Sequence, residues 1–207
     1  MKLQVAIDRV SLNEALELAR KLDPIVDIVE LGTSIVKDYG LVHLKEQVLD
    51  FNNAQLLLDL KTNDEGIYEF KQGYKAGADI LTVMATSSSS TVRQVYNVAM
   101  ESNKQVLIDL MEADNQTISS IADLENAIFG VHHPKDAGSG FDAVKTVEEF
   151  HERFPQVKHI AVAGGIDLEQ ARKLAKQGIS ETIIVGSKIV GASDVIATAK
   201  EFMEVIR

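Results

Sequence analysis

The amino-acid sequence predicts an α/β fold, a single (β/α)8 TIM barrel over residues 1–207. Short apolar, β-branched runs alternate with segments of helical periodicity along the chain, as they do in repeated βα units. Consecutive runs end at residues 8, 30, 59, 84, 109, 132, 163 and 185, and each interval accommodates one strand, one helix and two short loops. Only 3 prolines occur and no Gly/Ser-rich linker divides the chain, which favours one domain.

Eight strands and eight helices follow from these runs. An open doubly wound sheet is the alternative, but a glycine-rich turn typically follows its first strand, and Asp8-Arg9-Val10-Ser11 stands there. The eighth helix is predicted at Val190–Ile206, whereas Glu112–Asn126 is polar and short for a full helix. The strands are predicted at Leu3–Ile7, Ile25–Leu31, Gln55–Leu60, Asp79–Met84, Gln105–Met111, Ala127–His132, His159–Ala163 and Thr182–Val185.

Residues typical of helix ends stand at the expected places. Ser11, with Glu14 three positions later, forms a capping box before the first helix, and Asp167 precedes the seventh. Gly77 and Gly178 follow helical segments, where a glycine commonly ends a helix. These boundaries support the alternation of strand and helix.

The composition excludes several classes of function. The formal net charge of −10 argues against nucleic-acid and anionic-membrane partners, since both need a basic surface. The absence of cysteine excludes thiol catalysis and cysteine zinc sites, and it fits a reducing, cytoplasmic setting. No signal peptide fits before Leu3, and no apolar run approaches membrane-spanning length. A phosphorylated small molecule remains compatible with the charge, because backbone N–H groups can hold phosphate.

Ionisable residues stand at the carboxyl ends of the predicted strands, the end at which barrels carry their active sites. Loops are polar in general, but that does not explain why an acid is so often the first polar residue after a buried run. The set predicts an enzyme that handles charge developing during a reaction. Its members are Asp8, Glu30, Asp59 with Lys61, Asp109 and His132.

Glu30 and Asp59 end neighbouring strands and are the predicted metal ligands. Neighbouring strands lie about 5 Å apart, and two adjacent carboxylates repel each other unless they share a cation or a proton. Oxygen ligands without cysteine or a histidine pair suit Mg²⁺, which binds one or two carboxylates and keeps several waters. An ion pair between Glu30 and Lys61 is the alternative.

Histidine and charged residues near the strand ends are the candidate catalytic groups. Because adjacent strand residues point in opposite directions, at most one of His132 and His133 is expected to face the barrel mouth. His132 is the candidate general base. Asp59 and Lys61 are two residues apart and are expected to point the same way. Asp64 lies beyond the strand, where it either acts in the site or caps the next helix.

Two glycine turns predict a phosphate site. Gly164 and Gly165 follow the seventh run, and Gly186 with Ser187 follows the eighth. Glycine permits close approach of the backbone, and helix N-termini attract anions. The loops after strands seven and eight are also where barrels commonly bind phosphate, so the two turns together indicate a phosphorylated substrate.

The chain resembles the orotidine-phosphate decarboxylase superfamily over nearly its whole length. Asp59-Leu60-Lys61 with Asp64 matches the Asp-x-Lys-x-x-Asp signature of that superfamily. Glu30 is similar to its metal-dependent branch, the 3-hexulose-6-phosphate synthases and 3-keto-L-gulonate-6-phosphate decarboxylases; the orotidine decarboxylases carry a lysine there and use no metal. Further matching segments are Leu3–Asp8, Val26–Thr33, Ala76–Asp79, Val131-His132, Ala163–Ile166 and Val185-Gly186.

The resemblance implies a Mg²⁺-dependent carbon–carbon lyase that acts on a phosphorylated sugar, with Glu30 and Asp59 helping to bind the metal. It also implies a homodimer with shared active sites, in which Asp64 reaches into the site of the partner. The likeness of the first two strands and of Ala163–Ile166 favours the synthase group, which adds formaldehyde to D-ribulose 5-phosphate through an enediolate. The residues implied in substrate binding and proton transfer are Asp8, Lys61, Asp64 and His132.

The segment from His132 to Asp136 differs from both groups of the branch. The synthases carry a segment similar to His-Thr-Gly-x-Asp here. The gulonate decarboxylases have an arginine where this chain has Lys135. Lysine keeps the positive charge of arginine but lacks its planar guanidinium group. Lys135 is therefore the candidate specificity residue, and decarboxylation of 3-keto-L-gulonate 6-phosphate is an alternative. A catalytically silent phosphosugar-binding relative is another, whereas a pentose-phosphate epimerase is disfavoured because its paired His and Asp metal ligands are not found.

Overall fold

The computed structural model describes residues 1–47, 51–133 and 142–207. Within these ranges, eight parallel strands form a closed barrel in chain order, and the last strand pairs with the first. The predicted TIM barrel is confirmed, and the closure excludes the open doubly wound sheet. The strands are β1 Lys2–Ile7, β2 Ile28–Leu31, β3 Gln55–Thr62, β4 Ile80–Met84, β5 Gln105–Asp109, β6 Ile128–His132, β7 His159–Ala163 and β8 Thr182–Val185.

The helices pack outside the barrel, and one of them differs from prediction. The helix after β5 is a single short turn, as the polar composition there suggested. The eighth predicted helix is divided: a short helix ends at Val190, and the next starts at Val195, where the Asp194 carboxylate accepts the Ala197 N–H at 2.9 Å. The helices are α1 Leu12–Leu22, α2 Thr33–Glu46, α3 Gly66–Lys75, α4 Ser89–Glu101, α5 Asn115–Ser119, α6 Ala143–Arg153, α7 Leu168–Gln177, α8 Ser187–Val190 and α9 Val195–Ile206.

The predicted helix caps are confirmed. The Ser11 hydroxyl accepts the N–H of Glu14 at the start of α1, and the Asp167 carboxylate accepts the N–H of Gln170 at the start of α7. Gly178 ends α7 in the left-handed region with φ +72°. Within the described ranges, no helix is both long and apolar enough to cross a membrane.

The core has two parts, and the inner one sets the depth of the barrel mouth. The larger part lies between the strands and the surrounding helices. The smaller part fills the barrel interior with aliphatic side chains, whose members are Ile28, Leu57, Ile80, Leu107 and Ala161, with Ile128 and Ile184 packed against them. Since strand side chains alternate, the residues two positions further along each strand face the same interior, above this plug. Those positions include Glu30, Asp59, Thr82 and Asp109.

Candidate active site

A cavity of about 750 Å³ opens at the carboxyl ends of the strands. Its floor is formed by residues directly above the aliphatic plug, and its rim by the loops that follow the strands. Lys135 lies outside the described residues, and Asp64 is not part of the described lining. The residues predicted for the site that do line the cavity are Asp8, Glu30, Asp59, Lys61, His132, Gly164, Gly165, Gly186 and Ser187.

Glu30 and Asp59 are both buried on the cavity floor. Gln4 donates to Glu30 Oε2 at 2.6 Å, and Thr82 and Thr33 donate one hydroxyl each to the two oxygens of Asp59. Burial, and then the negative charge of Asp59, raise the pKa of Glu30 to about 8. Without a cation, Glu30 therefore keeps its proton near neutral pH, which is one of the two ways in which adjacent carboxyl groups avoid repulsion.

This pair fits a divalent cation. Two buried carboxylates that repel each other are stabilised when a cation lies between them. Among the described residues, no three His, Cys, Asp or Glu side chains converge on one point. Glu30 and Asp59 would thus supply two ligands and leave the other positions to water and substrate, which is how Mg²⁺ is commonly held. The alternative of a Glu30–Lys61 ion pair is not observed in the described residues, where Lys61 contacts two aspartates instead.

Lys61 reaches the cavity from an irregular part of β3. The register between β3 and β4 shifts between Leu58 and Thr62, and Lys61 has φ +47°, in the left-handed region. The regular strand alternation from which Asp59 and Lys61 were expected to point the same way is interrupted here, but both side chains line the cavity as predicted. A β-bulge of this kind changes the local direction of the chain, so the position of the Lys61 side chain depends on the bulge and not on alternation.

Asp109 joins Lys61 to His132. Its Oδ2 lies 2.5 Å from Lys61 Nζ and 3.0 Å from His132 Nδ1. Burial alone would raise the pKa of Asp109, but its contacts with His132 and Lys61 outweigh burial and bring it to about 2. Burial alone would likewise lower the pKa of Lys61, but Asp59 and Asp109 outweigh it and raise that pKa. At neutral pH the carboxylate is ionised and the lysine is an ammonium.

The contact with Asp109 determines which nitrogen of His132 is available. An ionised carboxylate only accepts hydrogen bonds, so Nδ1 of His132 carries the proton that it donates to Asp109. In the neutral imidazole, Nε2 then has a free lone pair. His132 lines the cavity with its side chain 27% exposed, so the ring is accessible to a bound ligand.

The prediction that only one of the two adjacent histidines faces the barrel mouth is wrong. Both His132 and His133 line the cavity. The strand β6 ends at His132, so strand alternation does not extend to His133. The backbone N–H of His133 donates to the Ala163 carbonyl at 3.1 Å and joins the two loops.

Asp8 is held by the first turn of α2. Its Oδ1 accepts the N–H of Ser34 at 3.0 Å and the Ser34 hydroxyl at 2.7 Å. Ser11, and not Asp8, caps α1, as predicted. Asp8 therefore remains at the cavity wall next to Glu30, to which it adds negative charge.

The two glycine turns have different structural requirements. Gly164 has φ +118°, and a Cβ there would lie 2.7 Å from His133 Cβ, so the loop packing itself requires glycine. At Gly165 a Cβ would meet nothing within 4 Å, and at Gly186 it would lie 3.6 Å from the Ala6 carbonyl oxygen. These two turns leave space in the cavity that the described protein atoms do not fill.

Asp64 is exposed on the loop before α3. The residue that precedes this helix is Glu65, in the left-handed region with φ +52°, and α3 has no side-chain cap within the described residues. The alternative reading of Asp64 as a helix cap is therefore wrong. Near it in sequence, Ile67 and Tyr68 are large apolar side chains exposed to solvent.

A family model supports the resemblance seen in the motifs. The model described as orotidine 5'-phosphate decarboxylase / HUMPS family matches residues 1–202. The chain belongs to this family.

Members of the family named as synthases match the chain from end to end. The 3-hexulose-6-phosphate synthase of Staphylococcus epidermidis is 32% identical over 207 residues, which cover 97% of this chain and 96% of the relative. A crystal structure of 3-hexulose-6-phosphate synthase from Salmonella typhimurium has a TM-score of 0.90 and 29% identity, and covers 100% of this chain and 98% of its own. Another crystal structure of a 3-hexulose-6-phosphate synthase, 34% identical, has a TM-score of 0.89 and covers 100% of both chains. The chain is an enzyme of this lyase family.

Three residues of the site were not predicted from the sequence. Gln4, Thr33 and Thr82 contact Glu30 or Asp59. Gln4 and Thr33 lie in segments that resemble the family but were assigned no role, and Thr82 lies in none of those segments. The role of Asp109 was also missed: it stood in the set of strand-end acids, but its position between a lysine and a histidine depends on the barrel register. The only available signal was its place as the last residue of a buried run.

Proposed function

We propose that the enzyme catalyses the Mg²⁺-dependent aldol addition of formaldehyde to D-ribulose 5-phosphate. The observation that supports this most directly is the contact of Asp109 with both His132 and Lys61, beside the buried carboxylates Glu30 and Asp59. It combines a base, a cation and an oxygen-rich site in one cavity. The end-to-end match with relatives named 3-hexulose-6-phosphate synthase supports the choice of reaction.

His132 is the base in this proposal. Its Nε2 removes the proton from C1 of ribulose 5-phosphate, and the two electrons of the C–H bond form the enediolate. Asp109 holds the ring by its Nδ1–H and stabilises the imidazolium that forms, as the carboxylate of a catalytic triad does. This assignment depends on the ionised state of Asp109.

Lys61 and the metal site handle the negative charge. When bound to Glu30 and Asp59, Mg²⁺ supplies Lewis-acid stabilisation of negative charge on oxygen. Lys61, held as an ammonium by Asp109, faces the same cavity and stabilises the oxygen anion as it develops. C1 of the enediolate then forms the new bond to the carbon of formaldehyde, and the imidazolium of His132 returns its proton to the formaldehyde oxygen.

The sugar phosphate binds at the turns after β7 and β8. Gly165 and Gly186 leave space there for close backbone approach, and Ser187 is exposed at the rim. Gly164 also lines the cavity, and its turn is required by the packing of the loop.

The enzyme acts as a homodimer in which Asp64 completes the site of the partner subunit. Asp64 is exposed and outside its own cavity lining, so a role in catalysis requires a neighbouring chain. Ile67 is 41% exposed and Tyr68 is 64% exposed on the adjacent turn, which gives apolar area for such a contact. This surface is the proposed dimer interface.

Two assays run side by side test the reaction. We expect the purified protein with Mg²⁺ to consume formaldehyde only when ribulose 5-phosphate is present, and to release little CO₂ from 3-keto-L-gulonate 6-phosphate. Faster CO₂ release would assign the enzyme to the decarboxylases, and turnover of neither substrate would leave a non-catalytic binding protein. Lys135→Arg compared with the parent chain then shows whether that position selects between the two reactions.

A further inference from the structure

The hydroxyl of Thr82 on β4 joins the backbone of Lys61 to the side chain of Asp59. It accepts the Lys61 N–H at 2.8 Å and lies 2.6 Å from Asp59 Oδ1. Because the hydroxyl accepts the Lys61 N–H, its own single proton is available for Asp59 Oδ1, to which it donates. Thr82 is 3% exposed, so this bridge is shielded from solvent.

The bridge spans the irregular part of β3. Lys61 is a non-glycine residue in the left-handed region, which is uncommon and unfavourable without compensating contacts. Its backbone N–H no longer follows the regular ladder to β4, and Thr82 provides the partner that it has. The direction of the Lys61 side chain, and with it the 2.5 Å contact with Asp109, depends on this backbone conformation.

The same arrangement occurs a second time at the cavity wall. The Ser34 hydroxyl accepts the N–H of Arg9 at 2.7 Å and donates to Asp8 Oδ1 at 2.7 Å. Arg9, like Lys61, is a non-glycine residue in the left-handed region, with φ +56°. In both places a buried or half-buried hydroxyl donates to a carboxylate of the site and accepts the backbone N–H of a left-handed residue one or two positions later in the chain.

We infer that Thr82 is a positioning residue for the reaction. Its hydroxyl holds Asp59 and Lys61 in one fixed arrangement. The inference rests on the proposed function and adds to it a residue that acts through two others. A threonine that only fills space would be replaceable by valine, which has the same shape. Asp8 depends less on its own bridge, because the backbone N–H of Ser34 also donates to it.

The test compares Thr82→Val, which removes the hydroxyl and keeps the shape, with Thr82→Ser, which keeps the hydroxyl. We expect Thr82→Val to lower kcat for formaldehyde fixation by about 100-fold, the effect of displacing reacting groups by about 1 Å, with a much smaller change in KM. Thr82→Ser should restore most of kcat. Thr182→Val, at a buried threonine of β8 outside the cavity lining, is the matched control and should leave kcat unchanged.

Crystal structures of the variants provide a readout that does not depend on the substrate. In Thr82→Val we expect Asp59 to rotate and the Lys61–Asp109 contact to lengthen, whereas Thr82→Ser should preserve both. If Thr82→Val does not fold, Thr82→Ala takes its place with the same expectations. Full kcat in the variant without the hydroxyl, or equal loss in Thr82→Ser, overturns the inference. If the wild-type protein has no turnover, the proposed function is refuted. The role of Thr82 is then tested by the crystal structure alone, and an unchanged position of Lys61 in Thr82→Val would refute it.

Discussion

Replacement of Asp109 by asparagine is the sharpest test of the proposed chemistry. The ionised carboxylate accepts from His132 Nδ1 and from Lys61, whereas an amide can donate to Nδ1. Donation to Nδ1 would move the ring proton to Nε2, the nitrogen that has to act as the base. The corresponding change of tautomer in a catalytic triad lowers kcat by about 10⁴-fold, and we expect a loss of about 10³- to 10⁴-fold in formaldehyde fixation.

The same substitution has a calculable effect on stability. The pKa of Asp109 is about 2 in the folded protein, and the difference from the ordinary aspartate value of about 3.9 corresponds to roughly 2.5 kcal/mol. Because the folded pKa is the lower one, this stabilisation is fully present above about pH 5 and is lost as the pH falls toward 2. Asp109→Asn should therefore reduce the free energy of unfolding at pH 7, with the difference from wild type shrinking in acid.

Steady-state kinetics and denaturant unfolding at two pH values provide the measurements. Asp123→Asn is the control, since it weakens an exposed ion pair with Arg93 and should change neither kcat nor stability much. If Asp109→Asn kept more than a tenth of the wild-type kcat, the assignment of His132 Nε2 as the base would be wrong. A stability loss independent of pH would show that packing, and not charge, accounts for the effect.

Three further predictions concern the metal, the phosphate and the dimer. EDTA should abolish turnover and Mg²⁺ restore it, and Glu30→Gln should weaken Mn²⁺ binding measured by calorimetry without unfolding the protein; full activity in metal-free buffer would refute the metal site. Gly186→Ala has room for its Cβ against Ala6, so it should fold normally but raise KM for ribulose 5-phosphate, and an unchanged KM would remove this turn from the phosphate site. Asp64→Asn and His132→Ala should each be inactive, yet mixed heterodimers should regain one intact site; verified heterodimers without activity would place both residues of a site on one chain.

Much of the fold was predictable because it depends on local and repeated features. Apolar runs, caps such as Ser11 and Asp167, and regular spacing identify strands and helices without knowledge of their contacts. Barrel closure follows from eight βα units in one chain. Errors in the fold concerned the ends of elements and the eighth predicted helix, which is divided into α8 and α9 where Asp194 provides a cap within an apparently continuous helical segment.

The position of the site was predictable for a similar reason, but its internal contacts were not. Carboxyl ends of parallel strands meet at one end of a barrel, so Glu30 and Asp59 had to lie near each other. Lys61 and Asp109, however, are 48 residues apart, and Thr82 and Asp59 are 23 apart. Whether such side chains touch depends on strand register and on the bulge in β3, which no local pattern revealed.

The sequence by itself determined the barrel, the end at which the cavity opens and the kinds of charged groups that line it. Those properties follow from the order of apolar and polar residues along each strand. Only the tertiary structure decided that Asp109 is shared by His132 and Lys61 and that Thr82 ties Lys61 to Asp59. It also decided the ionisation of Asp109 and the raised pKa of Glu30, because burial and neighbouring charges exist only once distant strands have been brought together.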